Sequence, residues 1–270
     1  MTSRRQFLKY IPCTFVVTKY NAVLADNKNV INYKITAKKT SFSFKDNTSA
    51  ELLLYNDTNP GPTLKGNVGD ILRVNFTNNL DEPTSIHWHG IKNINKMDGV
   101  PYLTQDPVQP GETFSYEFPV NQSGTYWYHA HMDSWKQVAK GLYGPLVVND
   151  KTDDLIEDDI VILADDWRLD KNYEIDEKSF GSLMDWSHAG RVGNWLTING
   201  EKSPQYSIKA NSRARLRFIN ASNARILKFG SSLKYNNIIA IDGVVVNPML
   251  VADFTLAPGQ RIDLLINTVD

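Results

Sequence analysis

Short apolar or alternating runs recur along the chain from Val30 onward, with turn residues between them. Alternation with a period of two is typical of strands that bury one face, and several short strands at regular spacing predict an antiparallel sandwich or barrel. Helical patterns are confined to two short pieces, Ser134–Lys140 and Ser179–Trp186. The pattern therefore predicts an all-β protein. Its first strands are predicted at Asn32–Ala37, Glu51–Tyr55, Asp70–Thr77, Ser85–His89, Thr113–Val120, Gly124–His131 and Leu142–Val148.

A polar, turn-prone stretch at Asn149–Asp159 interrupts this succession of strands, which then resumes. The chain on either side measures about 120 residues, the size of an ordinary domain. We therefore predict a first domain over residues 26–150 and a second over residues 151–270. Strands of the second domain are predicted at Asp159–Ala164, Trp195–Asn199, Gln205–Ile208, Arg213–Ile219, Ile226–Phe229, Asn237–Ile241 and Arg261–Ile266.

The composition and net charge of the chain limit the kinds of binding partner that we expect. Hydrophobic residues at 41% and charged residues at 22% are ordinary for a globular protein. A formal net charge of -1, without a basic cluster interleaved with aromatics, gives no reason to expect a nucleic-acid partner. The apolar run from Tyr10 to Val17 is far shorter than the ~20 residues that a membrane span needs.

The first 25 residues are predicted to be an export signal. The stretch from Ser3 to Lys9 carries a twin-arginine pair, a modest apolar run follows, and Val23 and Ala25 fit a small-residue cleavage site. The protein is therefore expected to be periplasmic or otherwise exported. The alternative is a basic terminus whose arginine pair is accidental. Because Cys13 is the only cysteine, cleavage after this segment would leave a chain without disulfides.

Four of the five histidines form two His-x-His pairs, His87 with His89 and His129 with His131. In a strand, residues two apart share a face, so each pair directs both imidazoles the same way. Two such strands side by side would gather four imidazoles, a ligand set that suits copper, zinc or iron. One pair can arise by chance, but two pairs in Trp-rich, strand-like surroundings favour a metal site.

Four motifs in a fixed order surround the histidine pairs. They are His87-Trp88-His89-Gly90, Met97-Asp98-Gly99-Val100-Pro101, Gly124-Thr125-Tyr126-Trp127-Tyr128-His129-Ala130-His131 and Gly141-Leu142-Tyr143-Gly144-Pro145-Leu146. With them, the chain from about Asn59 to Val148 resembles the first domain of the multicopper oxidases, a family of laccase-like proteins. A weaker resemblance continues through the second half, in Leu196-Thr197-Ile198-Asn199-Gly200, Arg217-Phe218-Ile219-Asn220 and Leu256-Ala257-Pro258-Gly259-Gln260-Arg261.

The resemblance implies two cupredoxin-like Greek-key β-sandwich domains and a copper centre. His87 resembles the ligand of the type 2 copper, and His89, His129 and His131 resemble ligands of the binuclear type 3 pair. In the family, such a cluster reduces dioxygen to water with electrons from a small reducing substrate, such as a phenol, an amine or a metal ion. The resemblance implies the same cofactor and reaction here.

Asp98 lies between the two histidine pairs. At this position the family often has an acid that helps to deliver protons to the oxygen-reducing cluster, and a carboxylate beside a wet channel suits that task. The alternative is a turn aspartate before a glycine, which is common. Both interpretations stay open.

Multicopper oxidases of this type carry a third domain, with the blue copper site and the other four histidine ligands of the cluster. His188 is the only histidine beyond the first predicted domain, so those ligands are expected to be absent from this chain. Without a third domain, this chain is expected to have negligible oxidase activity. Two alternatives stay open: a separately encoded third domain as partner, and a non-catalytic exported copper-binding or structural β-scaffold.

Overall fold

The computed structural model describes residues 29–150, 153, 156–230 and 236–268. Strands dominate these ranges and helices are limited to short pieces, which confirms the all-β prediction. The predicted export signal, with Cys13, lies outside the described residues. Within the described ranges, none of the helices has the length and apolar character that crossing a membrane requires.

The first eight strands form a sandwich of two four-stranded sheets. They are Val30–Phe42 (β1), Ala50–Tyr55 (β2), Leu64–Asn67 (β3), Ile71–Asn79 (β4), Ile86–His89 (β5), Thr113–Pro119 (β6), Gly124–Ala130 (β7) and Tyr143–Asn149 (β8). One sheet has the order β2-β1-β4-β6 and the other the order β3-β8-β7-β5. The β1–β4 and β3–β8 pairs are parallel, so the sandwich is mixed rather than purely antiparallel.

Aromatic side chains fill the space between these two sheets. Trp88 on β5 is fully buried, and its ring centroid lies 5.2 Å from that of Tyr116 and 4.8 Å from that of Phe118. Its neighbours His87 and His89 are only half-buried, because successive residues of a strand point to opposite faces. The alternation that builds the core therefore turns both imidazoles away from it.

The last eight strands form a second sandwich. They are Asp158–Trp167 (β9), Trp195–Ile198 (β10), Arg213–Asn220 (β11), Leu227–Gly230 (β12), Asn236–Ile241 (β13), Val244–Leu250 (β14), Asp253–Leu256 (β15) and Arg261–Asn267 (β16). A six-stranded sheet has the order β10-β9-β11-β16-β13-β14, and β12 pairs with β15. Strand β7 contacts both β11 and β16 and is buried along its whole length, so it lies at the junction of the two sandwiches.

The structure corrects several expectations about single elements. The strand predicted at Gln205–Ile208 is wrong: this segment is irregular and mostly exposed, since no strand of the described chain pairs with it. Strands β3, β14 and β15 were not predicted; β14 is an edge strand whose side chains are mostly exposed, so it shows no buried face. The first helical piece is a helix at Ser134–Gln137 followed by a 3₁₀ turn, and the second is a helix at Leu183–Ser187.

Candidate metal centre

Strand pairing brings the two histidine pairs together. Strands β5 and β7 are antiparallel neighbours, and His87 lies directly opposite His129. His131 follows the end of β7, where its backbone N–H donates to the carbonyl of Ser85 at 3.2 Å. Because residues two apart share a face, His89 and His131 project on the same side as this central pair.

All four imidazoles meet at this face. The ring centroid of His87 lies 5.9 Å from that of His89, 5.4 Å from that of His129 and 5.2 Å from that of His131. One ring nitrogen from each of His87, His89 and His129 lies within 4.8 Å of the other two. The structure thus gathers the four histidines singled out in the sequence, and three of them bring a ring nitrogen within reach of a shared metal ion.

Backbone carbonyls determine which ring nitrogen carries the proton in two of the histidines. His87 Nδ1 lies 2.8 Å from the carbonyl of Asp98, and His129 Nδ1 lies 2.9 Å from the carbonyl of Ala130. A carbonyl only accepts hydrogen bonds, so each Nδ1 carries the proton and donates. The lone pair then sits on Nε2 in both rings, the arrangement that an outer hydrogen bond imposes on metal-binding histidines.

Asp98 lies beside this site, but its closest contact is made by its backbone. The carboxylate Oδ1 is 3.7 Å from His87 Nδ1, farther than the carbonyl oxygen, and its side chain is partly exposed. The next residue, Gly99, has φ +78°, and a Cβ there would collide with the carbonyl oxygen of Ile86. A glycine is therefore required where the loop that carries Asp98 approaches β5.

Three of the four imidazoles, those of His89, His129 and His131, are held in their neutral form. Burial lowers the pKa of His129 to about 3, and burial followed by the nearby Arg261 cation lowers the pKa of His89 to about 4. Burial also lowers the pKa of His131. Neutral imidazoles keep a free lone pair at physiological pH and are the form that binds copper. The donor set therefore fits a copper centre in position, and these three imidazoles also fit it in protonation state.

The histidines line an open cavity of about 460 Å³ whose opposite wall comes from the second sandwich. Gly259, with φ +79°, approaches so closely that a Cβ there would lie 3.2 Å from His89 Cε1. The sequence did not assign a site role to this wall: Pro258 and Gly259 belong to a quoted motif, but their meeting with His89 depends on docking of the two sandwiches. The residues of this wall are Ala221, Ser222, Asn223, Pro258 and Gly259.

Trp127 forms the floor beneath two imidazoles. Its ring centroid lies 4.4 Å from that of His129 and 5.1 Å from that of His89. Its Nε1 is buried and has no hydrogen-bond partner among the described residues. By contrast, His188 is exposed at the end of the Leu183–Ser187 helix and does not line the histidine cavity.

Comparison with known proteins identifies the family. Two family models, both described as "Multicopper oxidase", match residues 36–153 and 158–270. The chain belongs to the multicopper oxidase family. Members of this family use copper to couple oxidation of a reducing substrate to reduction of dioxygen.

Individual multicopper oxidases show the same relationship. Laccase-1 of Cryptococcus neoformans is 32% identical over 84% of this chain and 40% of its own length, and the multicopper oxidase mco of Staphylococcus haemolyticus is 32% identical over 90% and 54%. The crystal structure of a multi-copper oxidase from Pseudomonas thermotolerans matches with a TM-score of 0.84 and 33% identity, over 90% of this chain and 59% of that one. The chain thus spans about half the length of these relatives.

Proposed function

We propose that this chain is part of a laccase-like multicopper oxidase. The whole protein would couple one-electron oxidation of phenols, amines or metal ions to four-electron reduction of dioxygen to water. The observation that carries the proposal is the meeting of four imidazoles on one face of the β5–β7 pair. The match to laccases and other multicopper oxidases over most of this chain supports it.

Within that function, each histidine has a proposed place. His87 would hold the type 2 copper, and His89, His129 and His131 would hold the type 3 pair. Bound copper supplies one-electron redox chemistry and a binding site for dioxygen. A third domain, in the same polypeptide or encoded separately, would supply the remaining ligands of the cluster and the blue copper site.

The chain's own residues prepare this site. The carbonyls of Asp98 and Ala130 orient His87 and His129 through their Nδ1 protons, and the aromatic floor of Trp127 excludes water from one side. The Asp98 carboxylate is partly exposed to solvent and lies near His87. We propose that it passes protons from solvent toward the centre, since oxygen reduction consumes them.

We extend the proposal to the organisation of the whole chain. Residues 1–25 would be a twin-arginine signal that directs the protein to the periplasm or beyond, and residues 26–150 and 151–270 would be two cupredoxin-like domains. The two family matches, at residues 36–153 and 158–270, support this division.

Copper loading tests the proposal directly. The full chain is incubated with Cu(II), passed through gel filtration, and analysed for metal content and electron paramagnetic resonance. We expect retained copper with nitrogen couplings and without an intense blue band, because the described part of the chain contains no cysteine that could act as a thiolate ligand. A folded chain that retains no copper would contradict the proposal and would favour the structural β-scaffold.

A further inference from the structure

A buried arginine of the second sandwich contacts both histidine-bearing strands. Arg261, at the start of β16, is only 4% exposed. Its Nε donates to the carbonyl of Thr125 on β7 at 3.2 Å. Its Nη2 lies against Gly90, the residue after His89, so closely that a Cβ at Gly90 would collide with it. One guanidinium therefore bridges the end of β5 and the beginning of β7.

Residues of the second sandwich fix the position of this guanidinium. Arg261 Nη1 donates to the carbonyl of Gly259 at 3.1 Å and lies 3.1 Å from Asp242 Oδ1. The backbone N–H of Arg261 donates to the same Asp242 carboxylate at 2.9 Å. Gly259 is also the residue that approaches His89 Cε1. The guanidinium thus joins both walls of the histidine cavity.

The side chain of Thr125 is fixed by the same sandwich. Its hydroxyl donates to Asp263 Oδ1 at 2.5 Å and accepts from Arg217 Nη1 at 3.0 Å. Asp263 in turn pairs with Arg215 Nη2 at 2.5 Å. The residue that Arg261 contacts on β7 is therefore already held, four positions before His129.

We propose that Arg261 is a positioning residue of the candidate copper centre: it fixes the end of β5 and the beginning of β7 against the Gly259 loop, and so sets how the imidazoles of His89 and His129 face the opposite wall of the cavity. The inference rests on the proposed function only for its copper readout. Arginine suits the role because its planar group can donate in several fixed directions at once, whereas a lysine ammonium is a point charge on a flexible stem.

The charge of Arg261 and its positioning role predict opposite effects on copper affinity when the residue is replaced. A cation beside His89 opposes the binding of copper, so loss of the positive charge alone would tighten copper binding. Loss of the positioning contacts would weaken copper binding. Arg261→Lys keeps the charge and removes the planar fork, and therefore isolates the geometric role.

The experiment compares full-length Arg261→Lys with full-length Arg225→Lys by two readouts. Arg225 is partly buried, pairs with Asp166 and donates to the carbonyl of Gly193, and both partners belong to the second sandwich, so it serves as the control. The first readout is the set of imidazole nitrogen resonances of the metal-free protein. The second is Cu(II) affinity by chelator competition. Arg261→Lys is expected to shift the resonances of His89 and His129 and to weaken copper binding about tenfold, as loss of an outer-shell partner typically does.

The two readouts test the proposed copper function and the positioning role of Arg261 separately. Wild-type protein that binds no Cu(II) contradicts the proposed function, while the metal-free resonances still test positioning. Unchanged imidazole resonances in Arg261→Lys, or changes equal to those of Arg225→Lys, overturn the role of Arg261. If Arg261→Lys does not fold, Asp242→Asn replaces it, because that partly exposed residue has φ +52°, which asparagine tolerates. Loosening of Arg261 there is expected to cause the same changes, smaller in size.

Discussion

At the scale of the residue, the site depends on which atom of each side chain is free. The Nδ1 proton of His87 is committed to the Asp98 carbonyl, so Nε2 is left to bind metal. The contribution of Asp98 to orientation therefore comes from its backbone, and that of Gly99 from the absence of a side chain. These two neighbours are expected to respond very differently to substitution.

Asp98→Asn is expected to leave the Cu(II) content of the chain unchanged, because the carbonyl that orients His87 remains. Gly99→Ala is expected to lower the free energy of unfolding by more than about 2 kcal/mol and to reduce copper retention, since its Cβ would collide with the Ile86 carbonyl at a positive φ. Urea unfolding and metal analysis measure both effects. A copper loss in Asp98→Asn as large as in Gly99→Ala would show that the carboxylate, and not the carbonyl, makes the essential contact.

Replacement of single histidines tests the assignment of the ligands. His129→Ala is expected to weaken Cu(II) binding by more than the ~10–100-fold range of outer-shell changes, since it removes a nitrogen donor at the centre of the cluster. His188→Ala is the control, because that histidine is exposed and does not line the cavity. Chelator competition measures both affinities. Equal effects of the two substitutions would argue against the cluster as the binding site.

At the scale of the element, side chains along β5 point alternately to the core and to the histidine cavity. Trp88 fills the core of the first sandwich while the histidines on either side face the cavity. This division was predictable from the sequence, since a period of two assigns faces without knowledge of the partners. Strand β14 was not predictable, because an exposed edge strand shows no buried face. The strand predicted at Gln205–Ile208 was wrong for the related reason that local pattern does not reveal whether a neighbouring strand exists.

Trp88→Ala is expected to lower the free energy of unfolding by about 3–5 kcal/mol, because it empties a fully buried aromatic position. Trp186→Ala is the matched control: that ring is 69% exposed, so its removal is expected to change stability by about 0.5 kcal/mol or less. Urea unfolding followed by circular dichroism compares the two. Similar losses in both variants would contradict the assigned core.

At the scale of the whole molecule, buried polar contacts join the two sandwiches. Tyr143 on β8 donates its hydroxyl proton to Asp165 Oδ2 on β9 at 2.7 Å. Contacts of this kind, and the approach of Gly259 and Arg261 to the histidine strands, depend on how the two sandwiches dock. The sequence places the four histidines on two strands, but it does not show which distant loops complete their cavity. That part of the site required the structure.

Asp165 makes the junction sensitive to pH. Burial raises the pKa of its carboxyl well above the ordinary 3.8, so the folded state holds the proton more tightly than the unfolded state. The resulting stabilisation is complete below pH 3.8 and is lost as pH rises through the folded-state pKa. The stability of wild type relative to Asp165→Asn, which does not titrate, should therefore fall as pH rises. Urea unfolding of both proteins from pH 3.8 upward measures this difference. A difference in the free energy of unfolding that stayed constant with pH would contradict the account.

The most direct test of the central claim is X-ray absorption on the copper-loaded full chain. The account predicts multiple scattering from imidazole rings, because the four histidines of β5 and β7 are the donors gathered at the cavity. His87→Ala and His129→Ala should each diminish it. A copper environment of oxygen atoms alone, unchanged in both variants, would place the metal elsewhere and contradict the account.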